Sequence, residues 1–127
     1  MSDTVETDEP AVVRADDVEY EAVGAAEGLR KGVLIGEAEG APNFAMRRFT
    51  LDAGADVPEH TNEVEHVQHV LAGEYTVGIE GEEYDVEPGD SMYVPAGAVH
   101  WYRNDGDQLG AFICVVPHGE DDIQLVE

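Results

Sequence analysis

No stretch of this chain of convincing length repeats its apolar residues at helical spacing. What recurs is a two-residue alternation interrupted by glycine or proline, and that pattern confines the chain to short β-strands. Read as a strand, Val64 to Leu71 sets His66, Gln68 and Val70 on one face and Glu65, Val67, His69 and Leu71 on the other. Glu74 to Glu80 places Tyr75, Val77 and Ile79 together, and Tyr84 and Val86 continue the alternation after Gly81, which describes a hairpin. The apolar run KGVLIGE inside Gly24 to Gly40, the stretch Asn43 to Leu51 and a closing run Ala111 to Val116 supply further strands. Ala11 to Tyr20 has weaker strand character and suits an edge. Many short strands joined by Gly and Pro turns predict an all-β barrel or double-sheet jelly roll.

At 127 residues the chain is expected to form one domain. Residues 1–10, polar and acidic, read as a disordered tail, and residues 11–127 as the domain. No repeat longer than a hairpin interrupts it.

The chemistry is concentrated in Gly54 to Gly73, where His60, His66 and His69 fall within ten residues. Neutral imidazole is the commonest protein metal ligand. His66 can face an interior that His69, by parity, cannot. A turn at Asn62 to Val64 brings His60 and Asn62 to the same side as His66. A further imidazole comes from Gly89 to Asn104, where Pro95 and Gly97 frame a turn that delivers His100 at the start of the next strand.

These two stretches resemble the paired motifs of the single-domain cupins. The first motif is matched by Gly54, His60, Asn62, His66 and Gly73, and the second by Gly89, Pro95, Gly97, His100 and Asn104, with the spacings intact and 15 residues between them. Two spaced motifs are far more specific than either alone. The resemblance covers roughly Val12 to Pro117 and extends to a subgroup of small metal-binding, dioxygenase-type members, with Ala41 to Phe44 upstream and a histidine, His66, at the motif's glutamate position. It implies a cupin double-stranded β-helix (jelly-roll barrel), a divalent transition metal on His60, Asn62, His66 and His100, and a homodimer. The chain departs from the pattern at Asn62, where the motif has histidine. Asn62 then coordinates weakly through its amide oxygen, holds a metal-bound water, or marks a site that has lost tight binding.

Around this set, Tyr102 shares the face of His100, and Phe112, Cys114 and Val116 share a face that would wall the pocket. Gln68 is read as a polar residue at the barrel mouth, the alternative being a hydrogen bond to a ligand or a water; Cys114 is read as a small buried hydrophobe, the alternative being a place near the metal, and His118 as solvated. Arg47 and Arg48 are expected to pair with surface carboxylates, the alternative being a clamp on a substrate carboxylate. Imidazole ligation suits Fe, Mn, Ni, Cu or Zn without choosing among them. The leading functional expectation is a small metal-dependent oxygenase acting on a small organic substrate. The alternatives are a redox-neutral lyase or isomerase using the ion as a Lewis acid and a non-catalytic sensor or binding module.

Charge narrows the setting. There are 29 acidic against 6 basic residues, a formal net charge of -23, yet 43% of the chain is apolar, which is too much for a disordered acidic polymer. Nucleic acid and anionic membranes are not expected partners, since both require a basic surface. No apolar leader or spanning segment is read in the sequence and the single Cys114 cannot form an internal disulfide, so a cytoplasmic protein is expected. Acidity spread along the whole chain resembles that of proteins from salt-accumulating halophiles. Screening shortens to roughly 3 Å in about 1 M salt, so the melting temperature should rise between dilute buffer and molar KCl; a flat profile would exclude salt adaptation.

Overall fold

The computed structural model describes residues 9–119 and 124–126, so most of the expected N-terminal tail lies outside the described residues. Eleven strands make up the described fold: β1 (Tyr20–Ala22), β2 (Leu29–Ile35), β3 (Phe44–Leu51), β4 (Asp56–Thr61), β5 (His66–Ala72), β6 (Tyr75–Ile79), β7 (Glu82–Val86), β8 (Ser91–Val94), β9 (His100–Arg103), β10 (Gly110–Pro117) and β11 (Gln124–Leu125). They form a six-stranded sheet in the order β1-β2-β3-β10-β5-β8 and a five-stranded sheet in the order β11-β4-β9-β6-β7. Every described pairing is antiparallel. From β3 onward the chain passes back and forth between the sheets, and only the β6-β7 hairpin stays within one, which is a jelly-roll winding. No helix of the described residues is long and apolar enough to cross a membrane.

Alternation positions the core. In β5, His66, Gln68 and Val70 are buried while Val67 and His69 are exposed, as the period of two requires. β10 pairs with β3 on one side and β5 on the other, so Phe112, Cys114 and Val116 enter the interior from the middle of the larger sheet. There Phe112 stacks between Phe49 and Tyr102, with ring centroids at 5.2 and 5.4 Å. Leu51, Val57, Val70 and Val77 close the core around them.

The β6-β7 hairpin turns through Glu80 and Gly81, both at positive φ (51° and 86°), the primed geometry that matches strand twist. Tyr84 departs from the expected pattern and stays half exposed, while Val86 on the same strand is buried. The edge strand expected over Ala11 to Tyr20 is also shifted: a 3₁₀ turn occupies Ala15–Asp17, and β1 starts only at Tyr20. Asp16 and Asp17 favour such a turn over a ladder. β11, which adds an edge to the smaller sheet beside β4, had no alternation to announce it because it is two residues long.

Two motif positions are explained by the backbone groups they meet. Gly73 sits at φ 78°, and a Cβ there would approach the Leu109 carbonyl oxygen to 2.6 Å. Asn104 is wholly buried: its Nδ2 donates to the carbonyls of Leu51 (3.0 Å) and Gln108 (2.9 Å), and its Oδ1 accepts from the Gly106 amide (3.1 Å). It fastens the end of β3 to the turn after β9. Removing the side chain takes a partner from the Leu51 and Gln108 carbonyls and the Gly106 amide, so Asn104→Ala should cost about 3 kcal/mol, read as a lower urea midpoint at unchanged slope.

Candidate functional site

Two turns at one end of the barrel carry the expected residues. The turn after β4 holds Asn62, the turn after β8 holds Gly97 at φ 78°, and the Gly97 amide donates to the Asn62 carbonyl at 2.9 Å. His100 is paired with His60 across β9 and β4, and the β5 residue His66 is paired with Val94 of β8. A bulge between Val57 and His60 turns His60 inward. His60, Asn62, His66 and His100 are all buried.

The rings are oriented by their Nδ1 atoms. His60 Nδ1 lies 2.8 Å from the Pro58 carbonyl and His100 Nδ1 lies 3.0 Å from that of Ala98. A carbonyl can only accept, so both Nδ1 atoms carry the proton and Nε2 is the nitrogen each ring would offer an ion. His66 Nδ1 is instead 3.2 Å from Cys114 Sγ. The His60 and His100 ring centroids are 4.1 Å apart and those of His66 and His100 are 6.2 Å apart. Among the described residues, no three or more histidine, cysteine, aspartate or glutamate side chains are gathered closely enough to hold an ion as they stand. A histidine pair is assembled, and the third ring stands off against the cysteine. The donor chemistry fits a divalent transition ion: imidazoles tethered through Nδ1 are the usual ligand form.

Beyond the histidines the barrel holds polar groups whose roles differ from the expectation. Gln68 is not at the mouth: it is buried on the β5 face and its Nε2 donates to the Tyr102 hydroxyl at 2.8 Å. Cys114 is buried as expected but not inert. Burial pushes its thiol up, yet the hydrogen bond and charge of His66 together with Arg47 outweigh this and hold it below the ordinary value. Arg47 corrects the surface reading. Only 6% exposed, it points inward with a guanidinium nitrogen 3.5 Å from Cys114 Sγ and its Cζ 5.2 Å from the centre of the Phe49 ring. Arg48 remains outside, its guanidinium donating to the Tyr20 hydroxyl at 3.2 Å. Parity alone did not separate the two: Arg47 alternates with Ala45, Phe49 and Leu51, and Arg48 with Phe44, Met46 and Thr50.

Tyr102 lies beside the pair, 6.1 Å from His60 and 5.8 Å from His100 between ring centres. Burial foremost, then the charges of Cys114, raises its phenol above the ordinary range, so its hydroxyl stays protonated. His69 is outside, with Nδ1 2.8 Å from Ser91 Oγ. His118 is not simply solvated: Nε2 donates to the Ala41 carbonyl at 2.7 Å, and Nδ1 lies 3.7 Å from Glu37. A cavity of about 60 Å³ opens beside this group, lined by Arg47, Asn62, His66, Gln68 and Tyr102 among others. Larger grooves of about 410 and 420 Å³ lie elsewhere, and acidic residues such as Glu74, Asp85 and Asp52 line them.

Residues 47–116 match the sequence profile described as the Cupin domain, more than half of the chain. An uncharacterized protein of Aquifex aeolicus is 38% identical over 50 residues; the match covers 39% of this chain and only 41% of that protein's length. The polyketide cyclase RemF of Streptomyces resistomycificus superposes with a TM-score of 0.85 at 26% identity, over 94% of this chain and 87% of the cyclase. A cupin-2 domain protein of Rhodospirillum rubrum superposes with a TM-score of 0.81 at 20% identity, over 92% and 80% of the two chains.

Burial holds the His60 imidazole below its ordinary value of 6.5; the Pro58 carbonyl opposes this shift and the charge of His66 adds to it. The unfolded chain therefore takes up this proton first as pH falls. The stability due to neutral His60 is complete above the unfolded value and is lost as pH falls through the folded one. In chelator-treated protein, urea unfolding from about pH 7.5 to about pH 5.5 should show falling stability, with a shallower slope in His60→Gln.

Proposed function

The chain belongs to the cupin domain family, and we propose that it is a metal-dependent enzyme that transforms a small organic substrate by redox-neutral, lyase- or isomerase-type chemistry. The observation that carries this reading is the tethering of His60 and His100 by backbone carbonyls with their ring centres 4.1 Å apart, which leaves Nε2 as the nitrogen each can offer. His60, His66 and His100 are the proposed ligands, with Asn62 as a fourth, weaker donor. A divalent ion held there would supply Lewis-acid polarisation of a substrate oxygen.

The chain's own groups do the rest. Tyr102, kept as a phenol by burial, holds a proton at its hydroxyl within the cavity wall. Gln68 fixes that hydroxyl through Nε2. Phe49 and Phe112 exclude water on the apolar side. Cys114, facing His66 Nδ1, is a positioning residue for that ring, because His66 can offer Nε2 only while Nδ1 keeps its proton. A redox-neutral reaction is preferred over the oxygenase expectation because a protonated phenol is already in place and because RemF, a polyketide cyclase, is similar over nearly the whole chain. Association of two chains through the exposed β1 edge belongs to the same proposal.

Elemental analysis of protein purified in molar KCl should find near-stoichiometric Fe, Mn, Ni, Cu or Zn. His100→Ala should abolish it, and Cys114→Ala should weaken metal affinity about 10- to 100-fold. Turnover of small carbonyl substrates should proceed unchanged without oxygen. Oxygen uptake coupled to turnover would identify an oxygenase instead, and metal-free protein after reconstitution would leave a binding module.

A further inference from the structure

One amide in the barrel interior is short of a partner. Gln68, 2% exposed, turns its Nε2 to two acceptors, the Tyr102 hydroxyl oxygen at 2.8 Å and Cys114 Sγ at 3.8 Å, which fixes that end of the amide as nitrogen. Its Oε1 at the other end is buried and has no hydrogen-bond partner among the described residues. Buried acceptors are seldom left in this state, because losing water without gaining a donor is unfavourable. We infer that the cavity beside the histidines seats a hydroxyl group carried on an apolar body, an alcohol or a phenol, whose hydrogen goes to Gln68 and whose oxygen accepts from Tyr102. The inference rests on the reading of this cavity as the substrate site and names the substrate class.

Donor count, lining and size define the class. Gln68 on β5 and Tyr102 on β9 meet from opposite sheets, and both line the cavity. The Tyr102 oxygen accepts from Gln68 Nε2, which leaves its own hydrogen to donate. An acceptor and a donor therefore belong to one bonded pair. A hydroxyl is the smallest group that answers both, since its single oxygen accepts one hydrogen and gives another. A ketone, an ether or a carboxylate accepts from Tyr102 and has nothing to give Gln68. Val23, Leu29, Phe49 and Phe112 also line the cavity, and apolar side chains of this kind suit a hydrocarbon frame around the hydroxyl. With each water needing at least ~10–15 Å³, the cavity of about 60 Å³ holds on the order of four waters, so the part of the ligand bound there is small.

NMR titration of the full chain in molar KCl with cyclopentanol and cyclopentanone tests this, and metal content is measured on the same samples. The two probes share a ring and an oxygen, and only the alcohol has a hydrogen to donate. Cyclopentanol should bind at least about tenfold more tightly than cyclopentanone. Gln68→Met keeps the length of the side chain without its acceptor, and should bring the two probes within about threefold of each other. Should that variant fail to fold, Tyr102→Phe is the substitute; it should weaken both probes several-fold, while Tyr84→Phe, at a half-exposed position, binds as the parent chain does. Equal affinity for the two probes, a preference that survives Gln68→Met, Tyr102→Phe that leaves both affinities unchanged, or no binding of the alcohol would overturn the inference. The preference should be the same before and after chelator treatment, because it arises at Gln68. Metal-loaded protein that does not tell the alcohol from the ketone would sink this assignment and leave the metal reading standing. Protein that takes up no metal yet shows the full preference would do the reverse.

Discussion

The constraint on which this structure turns is the hydrogen bonding of polar side chains inside a small barrel. Arg47, His60, Asn62, His66, Gln68, His100 and Asn104 are all buried in a domain whose apolar core is modest. An unpaired polar group in such a place costs about 1–3 kcal/mol, so the arrangement survives only because most of these groups hold one another or the backbone. The Pro58 and Ala98 carbonyls fix two imidazoles, Asn104 fixes three backbone groups, and Gln68 fixes Tyr102. The same bonds that keep the interior satisfied also aim the rings. Stability and site geometry are therefore one network, and a change made to the site will be felt in the fold.

Much of this was legible beforehand because it depends on local rules. Alternation in β5 set His66 and Gln68 inward and His69 outward, and the turn framed by Pro95 and Gly97 delivered His100 inward with Tyr102 two residues on. What escaped was of another kind. The partnership of Cys114 with His66 joins residues 48 apart, and only the β10-β5 register brings them together. Tertiary packing also overrode habit at Arg47: a charged residue is usually read as surface, and parity could not choose between two faces that each carry one arginine among apolar residues. The N-terminal strand was misplaced because weak alternation could not compete with the turn preference of Asp16 and Asp17.

His66 has the most consequential position. His60 and His100 are held by acceptors that admit one tautomer, whereas the sulfur facing His66 can donate or accept. When the thiol donates, Nδ1 is the acceptor and Nε2 carries the proton; when sulfur accepts, Nε2 presents its lone pair. Arg47, close to the same sulfur, favours the electron-rich form that accepts. One side chain thus bears both on the cavity and on the state of the third histidine.

Acidity and interior charge then belong to a single argument. A surface crowded with carboxylates repels anions, and dissolved salt weakens such surface fields far more than buried ones. Arg47 is buried beside Cys114 and the Phe49 ring, where added salt reaches it least. Added salt would therefore act on the exterior and leave the contact of Arg47 with Cys114, and through it the state of His66, almost unchanged.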